Sequence, residues 1–394
     1  MFKNKLLLLS PIIALAVIFI FSLTLFPSVQ PQPKNLPIAI VNEDEGMEIA
    51  NQPKVNMGKS IVNMIQKSSQ TEEGNAVNWV EVKSIEAVQK GLDNKKYYAS
   101  LVIPKDFSAK QASLRTPRPS SPEVEIWINQ GMNTAASTMA GQILNGVVDN
   151  MNDNVRKQLL DGFEQQGATL TAKQAASLAT PITKKVTNVN EIGTNSANGN
   201  APVSLFQPLW MASIASAAII FFAVRKLSIT NRKENFAIKS VQILMGAIVA
   251  LVVGFGLTWL TDGMVGLHIP QFTDTALFLS ITSFSFFLMI LAVLSLLGLK
   301  GMPIFILMLF FGAPLLAMAP EMMSPFYHDW IYSWLPMRFM VEGLRGLFFF
   351  GEGLTWNTPV SVLVWIGLVS MFIILGTALK SITAKEQITE ASVK

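Results

Sequence analysis

The sequence contains no cysteine and little charge. Without cysteine, the chain can form no disulfide, no thiolate metal site, no iron–sulfur cluster and no cysteine nucleophile. Asp, Glu, Lys and Arg make up 14% of the 394 residues, whereas a soluble domain carries roughly a quarter. Hydrophobic residues account for 51%. This balance argues against an ordinary cytosolic enzyme.

Recognisable ligand and catalytic motifs are also missing from the sequence. The two histidines, His268 and His328, are 60 residues apart, which gives no metal-ligand spacing. Residues 57–60 read Met-Gly-Lys-Ser, but Pro53 stands where a phosphate-binding loop requires glycine. The acidic run at 43–48 lacks carboxylates at the first and last positions of a calcium loop, so we interpret it as an exposed acidic turn. We therefore expect no catalytic residue, metal or cofactor.

Six runs of the sequence contain no Asp, Glu, Lys, Arg or His. They cover residues 6–26, 204–224, 240–260, 276–299, 301–319 and 358–379. At about 1.5 Å per residue, each can cross a hydrocarbon core of about 30 Å. Buried core helices are the alternative, most of all for the run that contains Pro303 and Pro314. A cleaved signal peptide is the alternative for the first run, but residues 26–29 offer no small-x-small cleavage site, so we interpret it as an anchor.

Residues 27–203 have the composition of a water-soluble domain, with 17 Lys and Arg and 17 Asp and Glu. We therefore predict a polytopic α-helical membrane protein with six transmembrane helices and an extracytoplasmic α/β domain inserted between the first and second. The predicted parts are a first transmembrane helix with a cytoplasmic N-terminus at 1–30, an extracytoplasmic α/β domain with a long helical stalk at 31–203, a five-helix transmembrane domain at 204–380, and a cytoplasmic tail at 381–394.

Within the inserted domain, short apolar runs alternate with helical patterns. The predicted strands lie at 36–41, 77–82, 99–103 and 124–128, and the predicted helices at 54–66, 85–92 and 107–114. Apolar residues then recur three or four apart from Met132 to Leu159. This spacing indicates one long helix, whose apolar stripe serves either simple packing or a coiled stalk.

The positions of Lys and Arg predict the orientation in the membrane. With the N-terminus inside, the cytoplasmic segments hold 11 Lys and Arg against 3 Glu, a net charge of +8. The short outer loops then hold 2 Arg against 6 acidic residues, a net charge of −4. Because cytoplasmic loops favour Lys and Arg, we place both termini in the cytoplasm and residues 27–203 outside. The basic pI of 9.1 then reflects topology rather than binding to nucleic acid.

The basic segment between the second and third predicted spans is a candidate surface for a partner protein. It contains Arg225, Lys226, Arg232, Lys233, Glu234 and Lys239. A transporter driven by protons or ions needs ionisable groups near the membrane midplane, and the six runs contain none. A secondary transporter is therefore disfavoured, and the energy for transport would come from a partner that contacts this segment.

The loop before the last predicted span contains a second candidate element, a short helix that Pro336 can start. Arg338, Glu342 and Arg345 recur at i, i+4 and i+7 and form one charged stripe. This pattern favours an interfacial or re-entrant helix on the outer side, and a plain amphipathic surface helix is the alternative. Four nearby aromatic side chains are expected at the level of the lipid headgroups: Trp330, Tyr332, Trp334 and Trp356.

Three segments of the sequence carry a family resemblance. Residues 36–46 read Leu-Pro-Ile-Ala-Ile-Val-Asn-Glu-Asp-Glu-Gly, and residues 98–108 read Tyr-Ala-Ser-Leu-Val-Ile-Pro-Lys-Asp-Phe-Ser. The third segment begins with Leu-Pro-Met at 335–337 and ends with Glu-Gly-Leu-Arg at 342–345. Together these segments resemble the YhgE/Pip (phage infection protein) branch of the type-2 ABC transporter permeases. The order of one span, an outer domain and five spans extends the similarity over nearly the whole chain.

The resemblance implies a permease subunit of an ABC exporter, which moves an amphiphilic or lipophilic substrate outward and has no enzymatic activity itself. It implies an ATP-binding cassette subunit at the cytoplasmic face, in contact with the 225–239 loop, and a second permease subunit in a homo- or heterodimer. It also implies a bacterial plasma membrane, of the Gram-positive type. A non-transporting cell-surface or secretion-accessory protein, of the scaffold or phage-receptor type, is the alternative function.

Overall fold

The computed structural model of the chain describes residues 33–48, 54–68, 75–167 and 169–379, with isolated positions between 11 and 23. Most of the first predicted span and the whole predicted tail at 381–394 lie outside these residues. The chain divides into two compact units. The sheet unit comprises Pro31–Ile192 and Met318–Met323, and the helical unit comprises Met1–Gln30, Gly193–Ala317 and Ser324–Lys394.

The sheet unit is built on a five-stranded mixed β-sheet. Its strands are β1 (Leu36–Asn42), β2 (Val77–Val82), β3 (Ala99–Ile103), β4 (Glu123–Asn129) and β5 (Thr183–Val189), in the order β2-β1-β3-β4-β5. Strand β1 pairs in parallel with both β2 and β3, β3 pairs antiparallel with β4, and β4 pairs in parallel with β5. The central strands are apolar on both faces, as expected when helices cover both sides of a sheet.

Helices cover both faces of this sheet. They are α1 (Met57–Ser68), α2 (Ile85–Asp93), α3 (Phe107–Ser113), α4 (Thr134–Gln165) and α5 (Ala172–Ala179). On one face, α1 and α4 pack against the sheet in the larger core, where Leu144 and Val148 of α4 are fully buried. On the other face, Val88 and Leu92 of α2 form a smaller core. The apolar stripe of α4 is therefore explained by packing on the sheet and needs no partner helix.

The four strands predicted from the sequence are confirmed to within one or two residues, whereas β5 was not predicted. Its sequence, Thr-Lys-Lys-Val-Thr-Asn-Val, contains only two apolar residues, and Val186 at its centre is exposed. Strand β5 lies at the edge of the sheet, where lysines discourage pairing with other chains. An edge strand of this composition lacks the apolar alternation by which a strand is recognised.

The expectation of an exposed acidic turn after β1 is wrong for Asp44, which is only 7% exposed. Its carboxylate accepts hydrogen bonds from the backbone N–H of Gly58 at 3.0 Å and of Ser108 at 2.9 Å. These donors lie in the first turns of α1 and α3, where the helix dipole favours a negative charge. A Cβ at Gly58 would lie 2.9 Å from the Cβ of Asp44. Glycine in the Met-Gly-Lys-Ser segment thus permits close packing of the turn.

The helical unit consists mostly of long apolar helices. They are α6 (Ala201–Ser204), α7 (Phe206–Arg225), α8 (Arg232–Leu260), α9 (Phe272–Leu297), α10 (Met302–Ala317), α11 (Pro325–Trp330), α12 (Pro336–Phe349) and α13 (Thr358–Thr377). Four stretches of the described residues are long and apolar enough to cross a membrane: Ala201–Arg225, Arg232–Val265, Phe272–Ala317 and Thr358–Thr377. The chain is therefore a helical, polytopic membrane protein with a mixed-sheet unit.

The fourth and fifth predicted spans both fall in the stretch Phe272–Ala317. This stretch contains α9 and α10, with a 3₁₀ turn at Gly298–Gly301 between them. Gly298 has a φ of +59°, a conformation that favours glycine and ends α9. Helix α10 has 16 residues and contains Pro314, so alone it is shorter than most membrane-spanning helices.

Helix α9 is the centre of the helical unit and packs against α7, α8, α12 and α13. The buried face of α8 consists of five residues at intervals of four, mostly small: Gln242, Gly246, Ala250, Gly254 and Thr258. A Cβ at Gly254 would lie 2.6 Å from both the backbone O of Ala276 and the backbone N of Ser280 in α9. Small residues at this crossing therefore allow the two backbones to approach closely, as is common in membrane helices.

The short segment Met318–Met323 leaves the helical unit and belongs to the sheet unit. It connects α10 to α11, both of which are in the helical unit. Ala319 and Met322 are buried in the larger core of the sheet unit. The Tyr98 hydroxyl donates to the Glu321 carboxylate at 2.7 Å, and the Lys34 N–H donates to the Glu321 carbonyl at 2.7 Å. We call this segment the clasp.

Candidate functional site

The basic loop predicted to contact a partner connects α7 to α8. Helix α7 ends at Arg225 and α8 begins at Arg232. The side chains of four basic residues are exposed: Arg225, Lys226, Arg232 and Lys233. They lie on both sides of one short connection, so the structure brings the predicted cations to one end of the helical unit.

Glu234 has a local structural role in this loop. The backbone N–H and the hydroxyl of Thr230 donate to its carboxylate at 2.9 and 2.7 Å. Its own backbone N–H donates to the side chain of Asn231, the N-cap residue of α8, at 2.9 Å. These reciprocal hydrogen bonds resemble a capping box, which fixes the entry of the chain into the helix. Glu234 therefore shapes the loop, and the exposed cations form its surface.

Lys239 turns inward and is not part of the exposed basic surface. Its Nζ atom lies 3.3 Å from the hydroxyl of Ser295 near the end of α9. One turn earlier, Asn235 donates to the carbonyl of Ala378, directly after α13, at 3.3 Å. These two contacts bring the start of α8 and the ends of α9 and α13 together. A force on the loop would therefore reach three helices through direct contacts.

Two of the exposed cations lie where helix stability disfavours them. Arg232 and Lys233 occupy the first turn of α8. The positive end of the helix dipole destabilises a cation in this position by about 0.3–1 kcal/mol at an exposed site. Glu234 in the same turn offsets part of this cost. The helix dipole therefore does not account for the two cations.

The second candidate element, the charged stripe before the last predicted span, lies on α12, which starts at Pro336 as predicted. The apolar side chains of α12 are buried within the helical unit, including Phe339, Met340 and Leu344. Helix α12 packs against α6, α7, α9, α10 and α13. It is thus an integral part of the packed helices rather than a plain surface helix.

The charged stripe of α12 is partly buried. The Arg338 Nε atom lies 3.9 Å from the Glu342 carboxylate, and the Arg338 side chain is 25% exposed. The Arg338 guanidinium lies 4.5 Å from the ring centroid of Phe339 and 5.4 Å from that of Tyr332, within the range of cation–π attraction. Arg345 continues the stripe at an intermediate level of exposure.

Three of the four aromatic residues expected at the lipid headgroups are exposed: Trp330, Trp334 and Trp356. The fourth, Tyr332, is only 8% exposed. Its ring lies beneath the Arg338 guanidinium. The sequence could not distinguish it from its neighbours, because it lies in the same aromatic segment and its cation partner is six residues away.

Sequence reasoning missed the residues that join the loop to other helices. Asn235 and Ser295 make the contacts to α13 and α9, but a single amide or hydroxyl in an apolar sequence carries no motif. The clasp was also missed, because its residues read as an ordinary short loop. Among the described residues, no group of three or more His, Cys, Asp or Glu side chains could hold a metal ion.

Comparison with known proteins identifies the family. A family model described as ABC-2 family transporter protein matches residues 5–379. The chain belongs to the ABC-2 transporter family. The resemblance to type-2 ABC permeases is thereby confirmed. ABC-2 membrane subunits are not themselves catalytic and generally work with an ATP-binding subunit.

Part of the ABC-2 chain is also similar in sequence to a bacterial protein. A segment of 128 residues, 32% of the chain, is 24% identical to a protein of Bacillus subtilis (strain 168) named Uncharacterized protein YhgE. The matched segment covers 15% of that relative's length. No solved structure matches the ABC-2 chain significantly.

Proposed function

We propose that the chain is the membrane-spanning permease subunit of an ATP-driven ABC exporter that moves an amphiphilic or lipophilic substrate outward. In this proposal the chain has six spans with both termini in the cytoplasm and the sheet unit outside. An ATP-binding subunit contacts the 225–233 loop from the cytoplasm, and a second permease subunit completes the transporter. The exposed basic loop, joined by Lys239 and Asn235 to two further helices, is the observation that carries the proposal.

The polar groups inside the helical unit support an external source of energy. Three buried hydroxyls of α9 donate to carbonyls one turn earlier in the same helix: Ser280 to Ala276, Thr282 to Phe278 and Ser285 to Ile281. Hydroxyls satisfied in this way offer no ionisable site that could couple transport to protons. ATP hydrolysis by a partner supplies the energy instead.

The geometry suggests how a partner would act on the permease. Closure of two ATP-binding subunits would press on the 225–233 loop and move the start of α8. Lys239 would transmit the displacement to α9, and Asn235 would transmit it to α13. The clasp would carry a displacement of α10 or α11 into the core of the sheet unit, because its ends are continuous with both helices. A push on the loop would thus pass through hydrogen bonds within the helical unit and then along the chain from α10 and α11 into the clasp.

Co-purification tests the proposed partner. The full chain is co-expressed with candidate ATP-binding subunits from the same genome, and any complex is isolated through a tag on the chain. We expect a stable complex, and at least a tenfold loss of bound partner when Arg225, Lys226, Arg232 and Lys233 are all replaced by Glu. A complex that is indifferent to this replacement would remove the loop from the interface. A chain that binds no ATP-binding subunit would favour the surface-protein alternative.

A labelling experiment tests the orientation separately. Because the chain contains no cysteine, one introduced cysteine provides a unique thiol. We expect a membrane-impermeant maleimide to label a Lys83→Cys variant in intact cells and a Lys226→Cys variant only after permeabilisation. Both positions are exposed, so burial does not limit the reaction. Labelling in the opposite pattern would contradict the orientation, whatever the partner.

A further inference from the structure

The sheet unit contains a cavity of about 270 Å³ between α1, the end of α3 and the C-terminal half of α4. Its walls mix apolar and polar side chains, and the apolar ones include Met57, Ile61, Met64, Met151 and Val155. Three of these five residues are methionines, whose flexible side chains adapt to ligands of different shape. The volume lies near the lower end of the roughly 300–1,000 Å³ typical of small-molecule sites. A single alkyl chain suits this space.

Polar side chains line the cavity from all three helices: Ser60 on α1, Asn154 and Gln158 on α4, and Gln111 on α3. Gln111 and Arg115 come from α3 and the residues directly after it, and both line the cavity. The Gln111 Oε1 atom is buried and has no hydrogen-bond donor among the described residues. A buried acceptor without a donor costs about 1–3 kcal/mol. A ligand hydroxyl or N–H at this position would remove that cost.

The charge of the cavity has one sign. Among the described residues that line it, Arg115 is charged and none is acidic. The adjoining groove beyond Met64 is lined by Ser60, Asn63 and Lys67, which adds a second cation. Apolar side chains that alternate with neutral polar ones, with cations beside them, favour an anionic head group joined to an apolar chain.

We propose that this cavity binds a single-chain amphiphile with an anionic head group that carries a hydroxyl or N–H donor. The chain lies between α1 and α4, the anion pairs with Arg115, and the donor of the head group binds Gln111 Oε1. The proposal concerns binding alone and stands whether or not the bound molecule is later transported. It adds a ligand site in the sheet unit that the basic loop and α12 do not provide.

Photo-crosslinking tests the site in the full chain, reconstituted in nanodiscs of phosphatidylcholine without ATP. The probe is dodecyl phosphate with a diazirine at the end of its alkyl chain, and the crosslinked peptides are located by mass spectrometry. We expect saturable labelling of the peptides that contain residues 57–64 and 151–159. Unlabelled lysophosphatidic acid, which adds a hydroxyl to the phosphate head group, should compete better than unlabelled dodecyl phosphate.

Three variants separate the contributions of charge, hydrogen bonding and space. Arg115→Gln should weaken labelling by dodecyl phosphate about tenfold, while a diazirine-labelled dodecyl maltoside should label it as weakly as it labels the unaltered chain. Gln111→Leu should remove the advantage of lysophosphatidic acid over dodecyl phosphate. Val155→Trp should fill the cavity and abolish labelling by either phosphate probe. Arg118→Gln, at an exposed arginine outside the cavity, is the matched control and should change nothing.

Thermal unfolding of each variant shows whether it is folded. Because the Arg115 side chain is exposed, replacement of Arg115 should leave the fold intact. Labelling confined to the helical unit would overturn the proposal. Equal losses in Arg115→Gln and Arg118→Gln would overturn it as well, because a general attraction of anions to the surface would then explain the binding. None of these outcomes depends on an ATP-binding partner, so the result is independent of the proposed transport function.

Discussion

Asp44 shows how one buried carboxylate joins two segments that the sequence presents separately. The turn at 42–46 and the segment at 103–108 are both parts of the family resemblance. In the structure, the Ser108 N–H and hydroxyl donate to Asp44, and the Met57 N–H donates to the Ser108 hydroxyl at 2.9 Å. Both of these segments of the family resemblance therefore contribute to one hydrogen-bonded cluster at the N-termini of α1 and α3.

Replacement of Asp44 should loosen both helix N-termini. Hydrogen bonds to a charged group contribute about 1.5–3 kcal/mol each, so Asp44→Ala should lower the local free energy of opening by about 2 kcal/mol or more. We expect amide hydrogen exchange in residues 57–62 and 107–111 to accelerate at least tenfold in the full chain. Asp44→Asn should show a smaller effect, because it keeps the shape and loses the charge.

Glu45→Ala is the matched control for this prediction. Glu45 is the next residue in the same turn and is exposed. Surface substitutions of this kind usually change stability by less than about 0.5 kcal/mol. Equal exchange in the Asp44→Ala and Glu45→Ala variants would contradict the structural role of Asp44.

At the scale of elements, the crossing of α8 and α9 depends on glycine at one position and not at another. Around Gly254, backbone atoms of α9 occupy the space that a side chain would need. Around Gly256, two residues further along the same helix, nothing lies within 4 Å of the Cβ position. The same substitution at these two positions therefore separates packing from helix propensity.

We expect Gly254→Ala to destabilise the helical unit by about 1–3 kcal/mol, because an added methyl group cannot be accommodated by a fixed backbone. Gly256→Ala should be neutral or stabilising, since alanine is the better helix former by about 1 kcal/mol. Thermal unfolding of the purified chain in detergent measures both. A lower melting temperature for Gly256→Ala than for Gly254→Ala would contradict the described crossing.

The hydrogen bond that holds the clasp gives a second prediction about contacts between elements. The Tyr98–Glu321 hydrogen bond joins the residue directly before β3 to a segment more than 200 residues later in the sequence. In a double-mutant cycle with Tyr98→Phe and Glu321→Gln, we expect a coupling energy of about 1 kcal/mol or more, because a charged acceptor strengthens the bond. Tyr97→Phe, at the neighbouring tyrosine, serves as the control and should show no coupling to Glu321→Gln. Additive effects of Tyr98→Phe and Glu321→Gln would mean that the bond does not hold the clasp.

At the scale of the whole molecule, the sequence predicted the elements better than their contacts. Runs of apolar residues predicted α7, α8, α9 and α13, and short apolar segments predicted the first four strands, because burial leaves a strong pattern in both cases. Strand β5, the burial of Asp44 and the clasp were not predictable. Each depends on contacts between residues far apart in sequence, and a polar or short segment carries no periodicity of its own.

The candidate site was predicted in part. The exposed cations of the 225–233 loop and the start of α12 at Pro336 follow from local sequence. The inward position of Lys239, the capping role of Glu234 and the burial of Tyr332 required the packed structure. The net charge of +4 likewise gains meaning only from its uneven distribution along the chain.

The central claim is that an ATP-binding subunit drives this chain through the 225–233 loop. The most direct measurement is the vanadate-sensitive ATPase activity of that subunit, reconstituted in liposomes with the chain. We predict that the chain stimulates the activity and that replacement of Arg225, Lys226, Arg232 and Lys233 by Glu reduces it at least tenfold. Replacement of four exposed basic residues of the sheet unit by Glu should leave it unchanged: Lys83, Lys90, Arg118 and Lys173. Equal activity with and without the chain, or equal losses in the two variants, would contradict the account.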